Sequence, residues 1–81
     1  MVVPPRSGPD PALAAALREL RTERGMTQEG LARAADITVA GYRKIEYGQV
    51  NPTWTTVGRI AAALGLSLAE LGGAVDARKP Q

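Results

Sequence analysis

Arg43 and Lys44 stand side by side in the stretch ITVAGYRKIEYG, residues 37–48. Two adjacent cations, with the small residues Val39 and Ala40 one turn earlier, can meet phosphates or the acceptor edge of guanine while methyl groups touch thymine. The same pair can also be a plain solvated helix face, and both readings fit this stretch taken alone. Other chemistry is scarce. The chain has no Cys and no His, which excludes disulfides, thiolate zinc sites and nucleophiles of either type. The remaining carboxylates, lysines and hydroxyls are scattered, so no catalytic residue, cofactor or metal site is expected.

At 81 residues the chain holds one domain, and a domain of that size needs an economical core. Hydrophobic residues make up 44% of it, yet Phe is absent and only Tyr42, Tyr47 and Trp54 are aromatic. Ala-rich apolar content of this kind suits small, closely packed helices and argues against a β-sandwich. The formal net charge is +2, carried mostly by arginine, which permits a nucleic-acid partner without requiring one. No apolar run is long enough to span a membrane, and MVVPPRSGPDP is too short in apolar residues for a signal peptide. A reducing cytoplasm fits the missing cysteines.

These side chains need elements to hold them. Residues 1–9 contain three of the six prolines and are expected to form a disordered N-terminal arm, either passive or lending Arg6 to a minor groove. Asp10 caps a first helix with Pro11 at its first position and Leu13, Leu17 and Leu20 on one face; Gly25 stops it. Thr27 opens a second helix, QEGLARAA. Gly30 stands where a capping box wants Glu, so this helix is weak alone. Asp36 sits at the reversal, Ile37 is a buried pin, and Thr38 caps a third helix that runs to Tyr47 before Gly48. Thr53 caps a fourth with Val57, Ile60, Ala61 and Leu64 inward. Ser67 and Glu70 make a capping box for a fifth, with Leu66 and Leu71 as its hydrophobic staple. After Gly72-Gly73 the chain is expected to fray, giving a domain over 10–72 and a flexible tail over 73–81. The fold class is all-α, a compact five-helix domain, and helices two and three are joined too tightly to lie antiparallel. Their geometry is that of a helix-turn-helix.

On the third helix, 100° per residue gathers Tyr42 and Ile45 on one side, with Thr38 near them, and Val39, Ala40, Arg43, Lys44 and Tyr47 on the other. Gly41 falls at the margin. Either packing tolerates it, or its bare backbone admits a closer approach to DNA or to helix two.

The segment RELRTERGMTQEGLARAADITVAGYRKIEYGQVNPTWTTVGRIAAALGLSLAEL resembles the lambda-repressor-like (Xre/Cro) helix-turn-helix family over roughly residues 13 to 71. LRxxRGMTQ, LAxxA, IEYG, NPT and RIAxALG-L-S-L-x-E-L come in the family's order. The resemblance implies a sequence-specific, double-stranded-DNA-binding transcriptional regulator, with repression the favoured mode, whose third helix enters the major groove. Thr38, Val39, Ala40, Arg43 and Lys44 then face bases. Thr27, Gln28, Tyr47, Gln49, Asn51 and Thr53 grip phosphates, and Arg21 with Glu46 forms a structural ion pair. Leu66, Leu68, Leu71 and Val75 are the surface on which such a chain would form a homodimer. The expected setting is the cytoplasm, on the nucleoid, with no membrane contact, no cofactor and no room for a sensor domain. Four positions depart from the family pattern: Asp36 replaces the usual Gly, Tyr42 replaces an aliphatic residue, and Val39 and Ala40 cannot hydrogen-bond to bases through their side chains. A rival reading is an antitoxin or other protein-interaction module on the same fold. Trp54 fits either a helix cap or a contact with a partner or DNA.

Overall fold

The computed structural model describes residues 9–79. Its elements are α1 (Pro11–Glu23), α2 (Gln28–Ala34), α3 (Val39–Glu46), α4 (Trp54–Ala63) and α5 (Leu68–Ala77), with no strand among the described residues. The expected N-terminal arm lies almost wholly outside them.

Each helix starts on a side-chain oxygen that accepts from a backbone N–H two or three residues on: Asp10 from Ala12, Thr27 from Gly30, Thr38 from Gly41, Thr53 from Thr56 and Ser67 from Glu70. Every cap expected from the sequence is in place, and Ser67 with Glu70 closes the full capping box. The ends of the first four helices share a second device. After α2 the chain enters the left-handed region at Asp36, with φ of 58°. Ile37 N–H then reaches back to the Ala32 carbonyl at 3.0 Å, which satisfies a carbonyl the helix has left open. Gly25, Gly48 and Gly65 do the same after α1, α3 and α4. Only at the helix-turn-helix bend does a residue with a Cβ hold this conformation, and Asp is one of the few that tolerate it.

The core is built from small residues and leucines. Ala16, Leu17, Leu20, Leu31, Ala32, Tyr42, Ile45, Ile60, Ala61, Leu64 and Leu71 are all buried. α1 packs on α3 and α5, α2 on α3 and α4, and α4 on α5. α4 and α5 turn by 95° at their connection. Arg24 ties the end of α1 to the end of α4, its Nε donating to the Leu64 carbonyl at 2.8 Å. No single helix among the described residues is long and apolar enough to cross a membrane.

The expected end of order at Gly72-Gly73 is corrected: α5 continues through both glycines to Ala77. Neither glycine has a neighbour within 4 Å of the place a Cβ would occupy, so both lie on the outer face and merely weaken propensity. Packing overrides that weakness. Ala74 and Val75 rest against the core, and Arg78 bonds to the Ala74 carbonyl and to Glu19 of α1.

Candidate nucleic-acid interface

α3 turns Tyr42, Ile45 and Glu46 inward and leaves Ala40, Arg43, Lys44 and the following Tyr47 exposed. Thr38, also exposed, is the N-cap. Its hydroxyl accepts from Gly41 N–H at 3.0 Å and retains a proton to donate elsewhere. Val39 departs from the helical-wheel expectation: it is half-buried and packs against the core cluster. It is the first residue of α3, where the chain is still rising from Ile37, so it presents only part of its surface outward.

Glu46 anchors this face from beneath. It is 1% exposed and accepts a two-pronged contact from Arg21, Nε to Oε2 at 2.9 Å and Nη2 to Oε1 at 2.7 Å. Arg21 Nη1 donates to the Met26 carbonyl at 2.8 Å. One ion pair thus fixes α1, the α1–α2 turn and the end of α3. Burial alone would push the Glu46 carboxyl up, but the Arg21 fork, with Tyr42 and Gln28 beside it, outweighs burial and holds it below the ordinary carboxylate value. The partner shift is in Arg21, raised chiefly by its bond to Glu46. The Tyr42 hydroxyl is buried with no hydrogen-bond partner. Burial, then the nearby Glu46 charge, raises its pKa and keeps it protonated.

Gln28 joins this anchor to the surface. Its Nε2 donates to Glu46 Oε1 at 3.3 Å, while its Oε1 faces Arg43 Nε at 3.2 Å and the Tyr47 hydroxyl at 3.5 Å. The structure therefore brings Gln28, Arg43 and Tyr47 together. Lys44 and Gln49 are exposed nearby in the chain, and the Thr27 and Thr53 hydroxyls cap α2 and α4.

Asn51, also exposed, carries a structural contact as well. Its Oδ1 accepts from Asp10 N–H at 2.9 Å, which ties the loop before α4 to the start of α1. That tie was not visible in the sequence because it crosses 41 positions between two capping regions.

The apolar candidates also divide. Leu71 is 2% exposed and belongs to the core, while Leu66 is half-buried against it. Leu68 is exposed and Val75 half-buried. Both line a groove with Leu13, Val57 and Trp54. Trp54 is the first residue of α4 and 73% exposed, too exposed for the packed-cap reading. Among the described residues no cluster of His, Cys, Asp or Glu could hold a metal ion.

Gly41 has a local explanation. A Cβ there would lie 2.8 Å from Thr38 Oγ1, and among the described residues no atom of another helix stands within 4 Å. Close approach to α2 is thereby overturned, because the nearest group is the helix's own cap.

A family model described as helix-turn-helix matches residues 17–71. Among curated proteins, the HTH-type transcriptional regulator DdrOP3 of Deinococcus deserti is 38% identical over 55 residues, 68% of this chain and 43% of that protein. Among solved structures, the clp gene regulator ClgR of Corynebacterium glutamicum superposes with a TM-score of 0.80 at 27% identity, covering 88% of this chain and 92% of that one. The restriction-modification controller protein C.AhdI of Aeromonas hydrophila superposes with a TM-score of 0.73 at 33% identity, covering 75% and 92%. This chain spans less than half the length of the curated relative.

Proposed function

The chain belongs to the helix-turn-helix family, and from that premise we propose that it is a DNA-binding transcriptional regulator that lays α3 in the major groove. One observation carries the reading: α3 buries Tyr42, Ile45 and Glu46 and turns Arg43 and Lys44 to solvent, on a helix whose base is fixed by an ion pair. A helix docked in a groove needs that rigidity, because base contacts specify only if the helix cannot roll.

In this reading Thr38, Val39, Ala40, Arg43 and Lys44 face bases, and Thr27, Gln28, Tyr47, Gln49 and Thr53 face phosphates. Asn51 belongs with the phosphate-facing group as well, its Oδ1 accepting from Asp10 N–H while its amide N–H groups are the donors for a phosphate. Because Val39 and Ala40 offer only methyl groups, sequence discrimination rests on Arg43, Lys44, the Thr38 hydroxyl and DNA shape. The protein works without cofactor or catalytic residue, on the nucleoid in the cytoplasm, as a repressor. The names of the relatives, regulators and a controller protein, support regulation as the outcome.

The exposed groove beside Trp54 supports a protein partner as well, and a second copy of this chain is the occupant that suits a regulator. An antitoxin role would instead fill the groove with a different protein.

Titration of selected duplexes at several salt concentrations tests the main reading. Binding should weaken steeply, with a log–log slope of about 0.9 in magnitude per phosphate contacted. Failure to bind any selected duplex at low salt would overturn it.

A further inference from the structure

Arg43 is already occupied in the free protein. Its Nε donates to Gln28 Oε1 and its Nη2 to Glu29 Oε1, both at 3.2 Å. Gln28 cannot swing away freely, since its amide nitrogen is bonded to Glu46. Lys44, the next residue, has no carboxylate within ion-pair distance among the described residues. So the two cations of α3 differ: one is free to meet DNA, and the other is held across the turn by the first turn of α2.

We infer that Glu29 is an internal competitor for DNA at Arg43, a carboxylate standing where a phosphate or a guanine edge must take over. The inference rests on the DNA-binding reading and concerns the regulation of that same site. The geometry suits exchange rather than a permanent lock. The side chains are 46% and 56% exposed, and solvated ion pairs of this kind contribute little to folding. A phosphate offers Arg43 a charge-assisted, two-pronged partner, so DNA displaces Glu29. After displacement the carboxylate stays near the duplex, where it takes up a cation or repels the backbone. The protein thus releases fewer counterions on binding than its surface cations suggest.

Glu29→Gln keeps the shape and removes the charge. Binding should tighten roughly three- to tenfold at low salt, and the salt slope should steepen by up to about 0.9, one phosphate's worth. In an Arg43→Ala background the same change should tighten binding clearly less than in the parent, because only the repulsion between Glu29 and the duplex backbone is left to relieve. If that background binds too weakly to measure, Arg43→Gln at reduced salt replaces it, since glutamine keeps a polar side chain of useful length but carries no charge for Glu29 to hold. In the DNA-free protein the Arg43 Nη2 protons, the ones that Glu29 holds, should exchange with solvent faster, as followed by NMR, in Glu29→Gln than in the parent. Equal tightening with and without Arg43, no tightening at all, or unchanged proton exchange would each overturn this inference while leaving DNA binding intact. A parent that binds no duplex overturns the DNA-binding reading and this inference with it.

Discussion

Removing the charge from Glu46 would leave the Arg21 guanidinium, itself mostly buried, facing a neutral amide that satisfies its donors poorly. Breaking a buried pair from one side is strongly destabilising. Because Arg21 keeps some contact with water, Glu46→Gln should lose about 3 kcal/mol, near the low end of that class. Urea unfolding at neutral pH measures it. The sign with pH follows from the depressed carboxyl of the folded state. Its contribution is fully present above the unfolded-chain value near 4.5 and is lost as pH falls through the lower folded value. Stability of the parent should therefore drop below about pH 4.5 more than that of Glu46→Gln. Identical acid profiles in the two proteins would remove Glu46 from the account. This pair was legible in the sequence through the family pattern of Arg21 and IEYG. The Gln28 bridge and the Arg43–Glu29 contact were not, because helical spacing says which face a residue occupies and nothing about which neighbouring side chain it turns toward.

At the level of helices, caps were the readable part. Asp10, Thr27, Thr38, Thr53 and Ser67 each do what their type and position imply, and Asp36 takes the left-handed turn. The fifth helix was misjudged because two glycines speak against a helix locally, while Val75 and the Arg78–Glu19 contact act from outside the segment. The same two forces separate a pair of substitutions. Gly73→Ala adds a Cβ in open space and should gain nearly the full helix preference of Ala over Gly, about 0.8–1 kcal/mol. Gly41→Ala gains that preference but pushes on the Thr38 cap, whose complete loss would cost about 0.5–2 kcal/mol. Its net change should be close to zero. Thermal melts of both variants beside the parent decide the matter: no stabilisation by Gly73→Ala would mean that α5 is not held past Gly72, and a Gly41→Ala gain as large as that of Gly73→Ala would clear the Thr38 cap of any strain.

For the molecule as a whole, composition and the order of motifs made the all-α architecture and the helix-turn-helix readable. The groove was not, since Trp54, Leu68 and Val75 meet only once α5 has folded against α1 and α4. A regulator reading two half-sites about one helical turn, roughly 34 Å, apart needs a two-fold axis between its α3 helices, and this groove offers an apolar surface to carry it. Leu68→Glu offers a clean disruption. Position 68 is the first residue of α5, where a carboxylate is favoured by the helix dipole, so the fold should be kept or slightly stabilised while a charge replaces an apolar side chain in a groove that Asp10, Asp76 and Lys79 also line. The parent should sediment as a dimer at micromolar concentration and protect two half-sites. Leu68→Glu should sediment as a monomer and bind a two-half-site duplex at least tenfold more weakly, about 1.4 kcal/mol, while its affinity for an isolated half-site stays near the parent monomer's. A parent that remains monomeric with and without DNA would exclude this interface, and a Leu68→Glu protein that still dimerises would move the two-fold axis away from the groove.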